Sequence, residues 1–271
     1  GDHFVVSIKT NNVKVSGFTI INGSIGVRTS PWTHGHIISG NIVMNNYEGI
    51  NGHYDVYNIT ISDNIITLNK FHGIGMCFYN SIISDNVISN NGKGNFIELT
   101  AGIAIGVGVN NKTIYSNNNM IIRNVIENNY NGILSAHYSE GNVFYHNTFI
   151  DNTHQIQPSV MNNTLEENYW SDYTGEDKDG DGFGDAPYII SIGVKDNFPL
   201  MSPFFYWNNP RDGDVNKDMK VDIRDIAIVG KSFGSYLGHQ RWNPIADVNQ
   251  DNKVDLKDIG LIAKNFGKAY P

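Results

Sequence analysis

At 271 residues the chain has room for one large and one small domain, and its 27 acidic against 19 basic residues give a net charge of −8. That balance argues against nucleic acid and anionic membrane surfaces as partners. No apolar run approaches the roughly 18 residues of a membrane span, and the single cysteine, Cys77, excludes internal disulfides and a cysteine-based zinc cluster. The opening Gly1-Asp2-His3-Phe4 lacks the basic region and apolar core of a secretory signal, so the chain reads as a mature or trimmed piece.

Phe4-Val5-Val6-Ser7-Ile8 reads as a strand. From residue 13 to residue 169 a unit of 21 to 23 residues recurs, interrupted once. Its register mark is Asn41, Asn64, Asn86, Asn124, Asn147 and Asn168, with Phe18 in the equivalent place of the first turn. Apolar residues stand three positions before it, from Val15 and Ile38 to Leu165, and two after it, from Ile20 and Val43 to Phe149. A second Asn follows, at Asn46, Asn69, Asn91, Asn129 and Asn152, and then a Gly-Ile step or its like, from Gly26-Val27 to Gly132-Ile133. The alternation in Ile59-Thr60-Ile61-Ser62 has the period of a strand, not a helix. Short β-branched strands at a fixed period, separated by Asn and Gly turns, predict an all-β right-handed parallel β-helix of about seven coils over residues 1–170. Equivalent positions would stack about 4.8 Å apart, with Ile and Val columns inside and Asn columns bonding along the axis and tolerating left-handed turns. No capping helix precedes Phe4, which leaves room for further coils upstream.

These repeats resemble the pectate-lyase-like β-helices of polysaccharide lyases and glycosidases, and the surface proteins termed NosD-like, over roughly residues 4–170. The resemblance implies the fold, and chemistry only by class. The interruption, GKGNFIELTAGIAIGVGVNNKTIYSN between Asn91 and Asn124, enlarges one coil by about fifteen residues. It is either a loop on the binding face or a tolerated insertion.

Two columns stand out as candidate sites. The residue before each register Asn gives Gly40, Asp63, Asp85, Arg123, His146 and Glu167. Asp63, Asp85, Arg123 and His146 form a lyase-like candidate set, in which carboxylates hold Ca²⁺ on an acidic glycan and Arg acts as base or charge stabiliser. The competing reading is a solvated column of mixed sign. A second column follows the Gly-Ile step: Trp32, Tyr54, Phe78 and Tyr138. Aligned aromatic faces stack sugar rings, or stack on one another at a turn. His53, Cys77 and His137 beside them carry donors suited to copper, but they are spread over several coils.

After Asn168-Tyr169-Trp170 comes DKDGDGFGD, an acidic loop offering Asp177, Asp179, Asp181 and Asp185 to a calcium ion, with Asp196 as the residue that would complete the shell. The stretch resembles the segment that ends NosD-like repeats in archaeal-type surface proteins, and residues 171–200 are expected to cap the β-helix. Residues 201–213, MSPFFYWNNPRDG, read as linker.

The remaining residues, 214–271, hold one pattern twice, DVNKDMKVDIRD and, thirty-three residues on, DVNQDNKVDLKD. Loop positions 1, 3, 5, 9 and 12 are Asp214, Asn216, Asp218, Asp222 and Asp225 in the first copy and Asp247, Asn249, Asp251, Asp255 and Asp258 in the second. With the carbonyls of Lys220 and Lys253 at position 7, each set nearly fills the six-to-eight oxygen shell of Ca²⁺. Each loop precedes an apolar segment of helical spacing that ends in Lys-x-Phe-Gly. Asp at position 12, no entering helix and the tandem arrangement resemble a type I dockerin. The resemblance implies a small α domain of two calcium loop–helix repeats that binds a cohesin module. It also implies recognition through Ile223, Arg224, Leu256 and Lys257, with Lys231 and Lys264 further along; packing of Ile223 and Leu256 against the opposite half is the alternative.

The chain is therefore expected to be a secreted or surface-displayed glycan-binding β-helix anchored to a cohesin-bearing partner. The alternatives are a polysaccharide lyase or glycoside hydrolase of the same fold, or a structural spacer.

Overall fold

The period-two alternation becomes three parallel sheets wound one after another. The computed structural model describes residues 3–92, 97–106, 115–135, 139–157, 162–204, 213–216, 220–236, 239–243, 246–249 and 253–268. They belong to two compact units, residues 1–204 and 205–271. In the first unit each repeat gives one strand to each of three seven-stranded sheets. The first sheet runs from Phe4–Ile8 to His154–Ile156, the second from Lys14–Ser16 to Thr164–Glu166, and the third from Thr19–Ile21 to Tyr169–Trp170. Seven strands per sheet make six full turns of a parallel β-helix.

Register stacking puts like on like. Val15, Ile38, Ile61, Ile83, Ile121, Phe144 and Leu165 pair in succession through the second sheet. Ile20, Val43, Ile66, Ile88, Ile126, Phe149 and Trp170 do so through the third. All are buried in one continuous core, each contributing about 1.5–3 kcal/mol of transfer free energy.

The corners are built from Asn. Each register Asn donates its Nδ2 to the Oδ1 of the next at 2.9–3.0 Å, from Asn41 through Asn168. Asn46, Asn69, Asn91, Asn129 and Asn152 form a second ladder at 3.0–3.2 Å. A third, Ser81-Asn119-Asn142-Asn163, escaped the sequence reading. The recurrent Gly is forced by the second ladder: a Cβ on Gly49 would lie 2.3 Å from the Gly73 carbonyl oxygen and 3.0 Å from Asn69 Nδ2.

Connections from the second sheet to the third are two-residue turns, whereas the longest excursions flank the first sheet. The interruption divides around strand Ala101–Ile105, which keeps its place between Ile74–Met76 and Asn131–Ser135. Thr100 Oγ1 donates to the Gly92 carbonyl at 3.0 Å where the chain returns to the stack.

The C-terminal end is closed by aromatics. Trp170 stacks between Phe149 and Tyr188, 4.5 Å from each, and Tyr188–Ser191 pairs antiparallel with Val194–Asp196. The packed region runs past the expected boundary at residue 200. Phe204, expected in the linker, is buried with its ring stacked 3.9 Å from His146 and its N–H donated to Thr148 Oγ1 at 2.9 Å.

The second unit is a duplicated loop and helix, with helices Ile223–Ser232 and Leu256–Asn265. Val221 of the first loop exchanges hydrogen bonds with Lys268 and Gly267 beyond the second helix. Val254 does the same with Gly234 and Ser235 beyond the first. Val215, Val221, Val229, Ala246, Val248, Val254 and Ile262 fill the core between the copies.

Candidate functional site

The acidic loops of the second unit bury their carboxylates. Asp225 and Asp258 are fully buried, and Asp214 and Asp247 nearly so. Asp225 accepts the Asn216 and Asp222 N–H groups at 3.0 and 2.8 Å, and Asp258 accepts those of Asn249 and Asp255 at 3.0 and 2.7 Å. Asp222 and Asp255 cap their helices, accepting from Arg224 and Lys257 N–H. Two lone pairs used of the four or so on a carboxylate leave the rest for a cation. Burying such a charge is costly unless an ion offsets it, so the donor set suits calcium. A bound ion would neutralise these carboxylates and tie loop to helix. Asp218 and Asp251 lie outside the described residues; Lys220 and Lys253 are exposed.

All six expected partner-binding residues, Ile223, Arg224, Lys231, Leu256, Lys257 and Lys264, are exposed. Ile223 is 65% and Leu256 74% accessible, so neither packs against the opposite half. Phe233 and Phe266, which end the two helices, are exposed as well; the repeated Lys-x-Phe-Gly was their signal, read only as a helix end.

In the loop after the β-helix, ligand atoms of Asp177, Asp179 and Asp181 lie within 4.8 Å of one another. Asp177 is held by the Gly180 and Gly182 N–H groups at 2.7 and 3.0 Å, and Asp185 by that of Lys178 at 3.0 Å. The Asp181 N–H pulls the Asp179 pKa down, but the neighbouring carboxylates outweigh it and leave the carboxyl above its ordinary value. Asp196 does not complete this loop. It is fully buried and ends the first Asn ladder, accepting from the backbone of Glu167, Asn168 and Phe198, from Asn168 Nδ2 and from Trp170 Nε1.

The charged column lies along the turns between the second and third sheets, with Gly40, Asp63, Asp85, Arg123, His146 and Glu167 all in the left-handed region. Arg123 forks onto Asp85, with Nε and a terminal nitrogen each 2.8 Å from a carboxylate oxygen, and that bond raises its pKa further. His146 Nε2 and Tyr145 Oη each approach Glu167 Oε2 at 2.8 Å. Burial pulls the His146 pKa down more than Glu167 lifts it. Asp85 with Arg123 and His146 with Glu167 are committed to one another, which favours the mixed-sign column over a lyase-like set.

The expected aromatic column does not form one face. Phe78 is fully buried, packed where a Cβ on Gly52 would overlap its ring, and is no sugar platform. Tyr138 lies outside the described residues. Trp32 and Tyr54 do meet, edge to face at 5.3 Å, and Trp32 is 67% exposed at φ +58°. The true ladder is His34-Tyr57-Tyr79, stacked at 4.8 and 5.2 Å, which spends most of its ring faces on itself. Its signal was a spacing of 23 and 22 residues, three positions before each second-sheet strand.

The family model for the periplasmic copper-binding protein (NosD) matches residues 2–175. The chain belongs to the NosD family. A type I dockerin domain matches residues 212–267, so this NosD-like protein also carries the kind of module that binds cohesins. The probable ABC transporter binding protein NosD of Stutzerimonas stutzeri is 32% identical over 142 residues, which cover 48% of this chain and 31% of that protein. The chain thus spans about a third of the length of the curated relative it matches. An alginate lyase from Paenibacillus sp. str. FPU-7 is 14% identical over 60% of this chain and 69% of its own, with a TM-score of 0.43. Endopolygalacturonase I from Stereum purpureum is 16% identical over 60% and 54%, with a TM-score of 0.38.

The copper of the family's description finds no fitting donor set among the described residues of this NosD-like domain. Cys77 is buried with its thiol pushed up to about 12, by desolvation and by Glu48, so it carries its proton in the metal-free chain. His53 Nδ1 accepts the Tyr54 N–H at 2.9 Å. Buried His72 has neither ring nitrogen bonded, yet among the described residues no three His, Cys or acidic groups converge there. His137 lies outside the described residues.

Proposed function

We propose that this NosD-like protein is a glycan-binding β-helix that acts outside the cytoplasm and is held to a cohesin-bearing partner by its dockerin domain. One observation carries the glycan reading: Trp32 is a bulky residue held in the left-handed region and set out into solvent against Tyr54. That conformation costs about 1–2 kcal/mol for such a residue, and a ring so exposed offers the apolar face on which a pyranose stacks. On the dockerin side, Ile223, Arg224, Leu256 and Lys257 stand exposed at equivalent places on the two helices and present themselves to the cohesin. Calcium has two places in the dockerin loops and a third at Asp177, Asp179, Asp181 and Asp185.

Affinity electrophoresis of the chain through gels containing neutral or acidic polysaccharides, with product release followed in the same samples, tests this reading. Retardation without products, lost in Trp32→Ala, is expected. Turnover of any polysaccharide would replace binding with catalysis, and no retardation on any gel would leave the β-helix as a spacer.

A further inference from the structure

We infer that Arg28, on the strand that leads into the Trp32 turn, forms a subsite for an anionic group, a carboxylate or a sulfate, of an acidic glycan held at the Trp32–Tyr54 pair. This deepens the glycan-binding reading and rests on it. Arg28 lies on strand Ile25–Thr29 of the first sheet, in register with Asn51 of the next coil. The residue after it, Thr29, accepts the His53 N–H on Oγ1 at 3.2 Å. The His53 ring lies 4.2 Å from that of Tyr54, and Tyr54 lies 5.3 Å from Trp32. Arg28 and the aromatic pair therefore follow one another along two adjacent coils, and the Arg28 charge, behind desolvation, helps to lower the pKa of the His53 ring between them.

The guanidinium is poised and uncompensated. It sits over the Phe4 ring, 4.7 Å from the centroid, and the ion pairs among the described residues leave it without a carboxylate. A planar cation already resting on a ring loses little freedom when it receives an anion. Glu48, a carboxyl on which the Arg28 charge acts, is buried with Oε1 accepting from Asn51 Nδ2 at 2.9 Å, in the space left by the missing Cβ of Gly75. Burial raises the Glu48 pKa to about 7, so below that pH its carboxyl is mostly neutral and cancels little of the Arg28 charge.

The test is binding at pH 6 of three oligosaccharides matched in length, one neutral, one a uronate and one sulfated, to the full chain and to Arg28→Gln and Trp32→Ala. At least one acidic ligand should bind ten times or more tighter than the neutral one, and whichever does so names the anion. Arg28→Gln should bring that ligand down to the neutral level and leave neutral binding unchanged, while Trp32→Ala weakens all three. Should Arg28→Gln perturb the fold, Arg28→Lys keeps the charge without the planar fork and should retain part of the preference. Equal affinity for acidic and neutral ligands would overturn the Arg28 subsite and leave glycan binding standing. No binding of any of the three would overturn both.

Discussion

Every amide of the first Asn ladder donates toward the C-terminal end, so the last rung meets its neighbour with hydrogens and must find a group that only accepts. Asp196 supplies it, with five donors on two buried oxygens. Asp196→Asn has the same shape but turns donor hydrogens toward donors. It should cost about 2–4 kcal/mol, measured as a fall in the urea midpoint of the β-helix with its slope unchanged. Glu48 makes the opposite case, a carboxyl with too few partners. Its pKa rises from 4.5 to about 7 on folding, so the folded chain binds the proton more tightly than the unfolded one. Stability is then full below pH 4.5 and is lost as the pH rises through 7, by an amount on the order of 3 kcal/mol. Glu48→Gln should flatten that fall; a parallel pH dependence in wild type and variant would show that the carboxyl is solvated.

At the scale of elements, the two loop–helix units should depend on calcium because Asp214, Asp225, Asp247 and Asp258 are buried at the heart of each loop. Asp214→Ala with Asp247→Ala should remove the calcium-dependent helical signal of the second unit while the β-sheet signal stays. Helicity unchanged by both chelator and substitution would contradict this. The strands, the two Asn ladders and the loop–helix duplication were legible in the sequence because each is a strict repeat, and a strict repeat becomes a straight column. The aromatic column failed for the converse reason. Trp32, Tyr54 and Phe78 sit in connections of differing length between the first and second sheets, so counting from the Gly-Ile step mixes an exposed tip with a core residue. His34, Tyr57 and Tyr79 keep a constant distance to the following strand and do align. The third ladder was hidden because Ser81 and Ile59 interrupt its Asn composition. Arg28 gave no periodic signal, since its place in the column is taken by Asn51 and Gly75 in the next coils.

For the whole molecule, two compact units, residues 1–204 and 205–271, imply two unfolding events. A calorimetric scan in calcium should show both. Chelator should abolish the one belonging to residues 205–271 and lower the β-helix transition by a few degrees, the loss expected when an ion leaves a site formed only in the folded state. If the acidic loop holds that ion, Asp179→Ala should make the β-helix transition indifferent to chelator; a response that persists would place the ion elsewhere. The seat of Phe204 bears on how such a molecule carries load. If the β-helix holds a glycan while the C-terminal module is anchored, as proposed above, tension between them would enter the β-helix through the chain at Phe204. There the His146 ring and the Thr148 hydroxyl take the tension first, followed by the Met201 and Leu200 N–H groups on Gly182 and Asn168. Under such a pull the segment would act as the strain relief on a cable, yielding these bonds in series before the force reached Trp170 and the end of the stack.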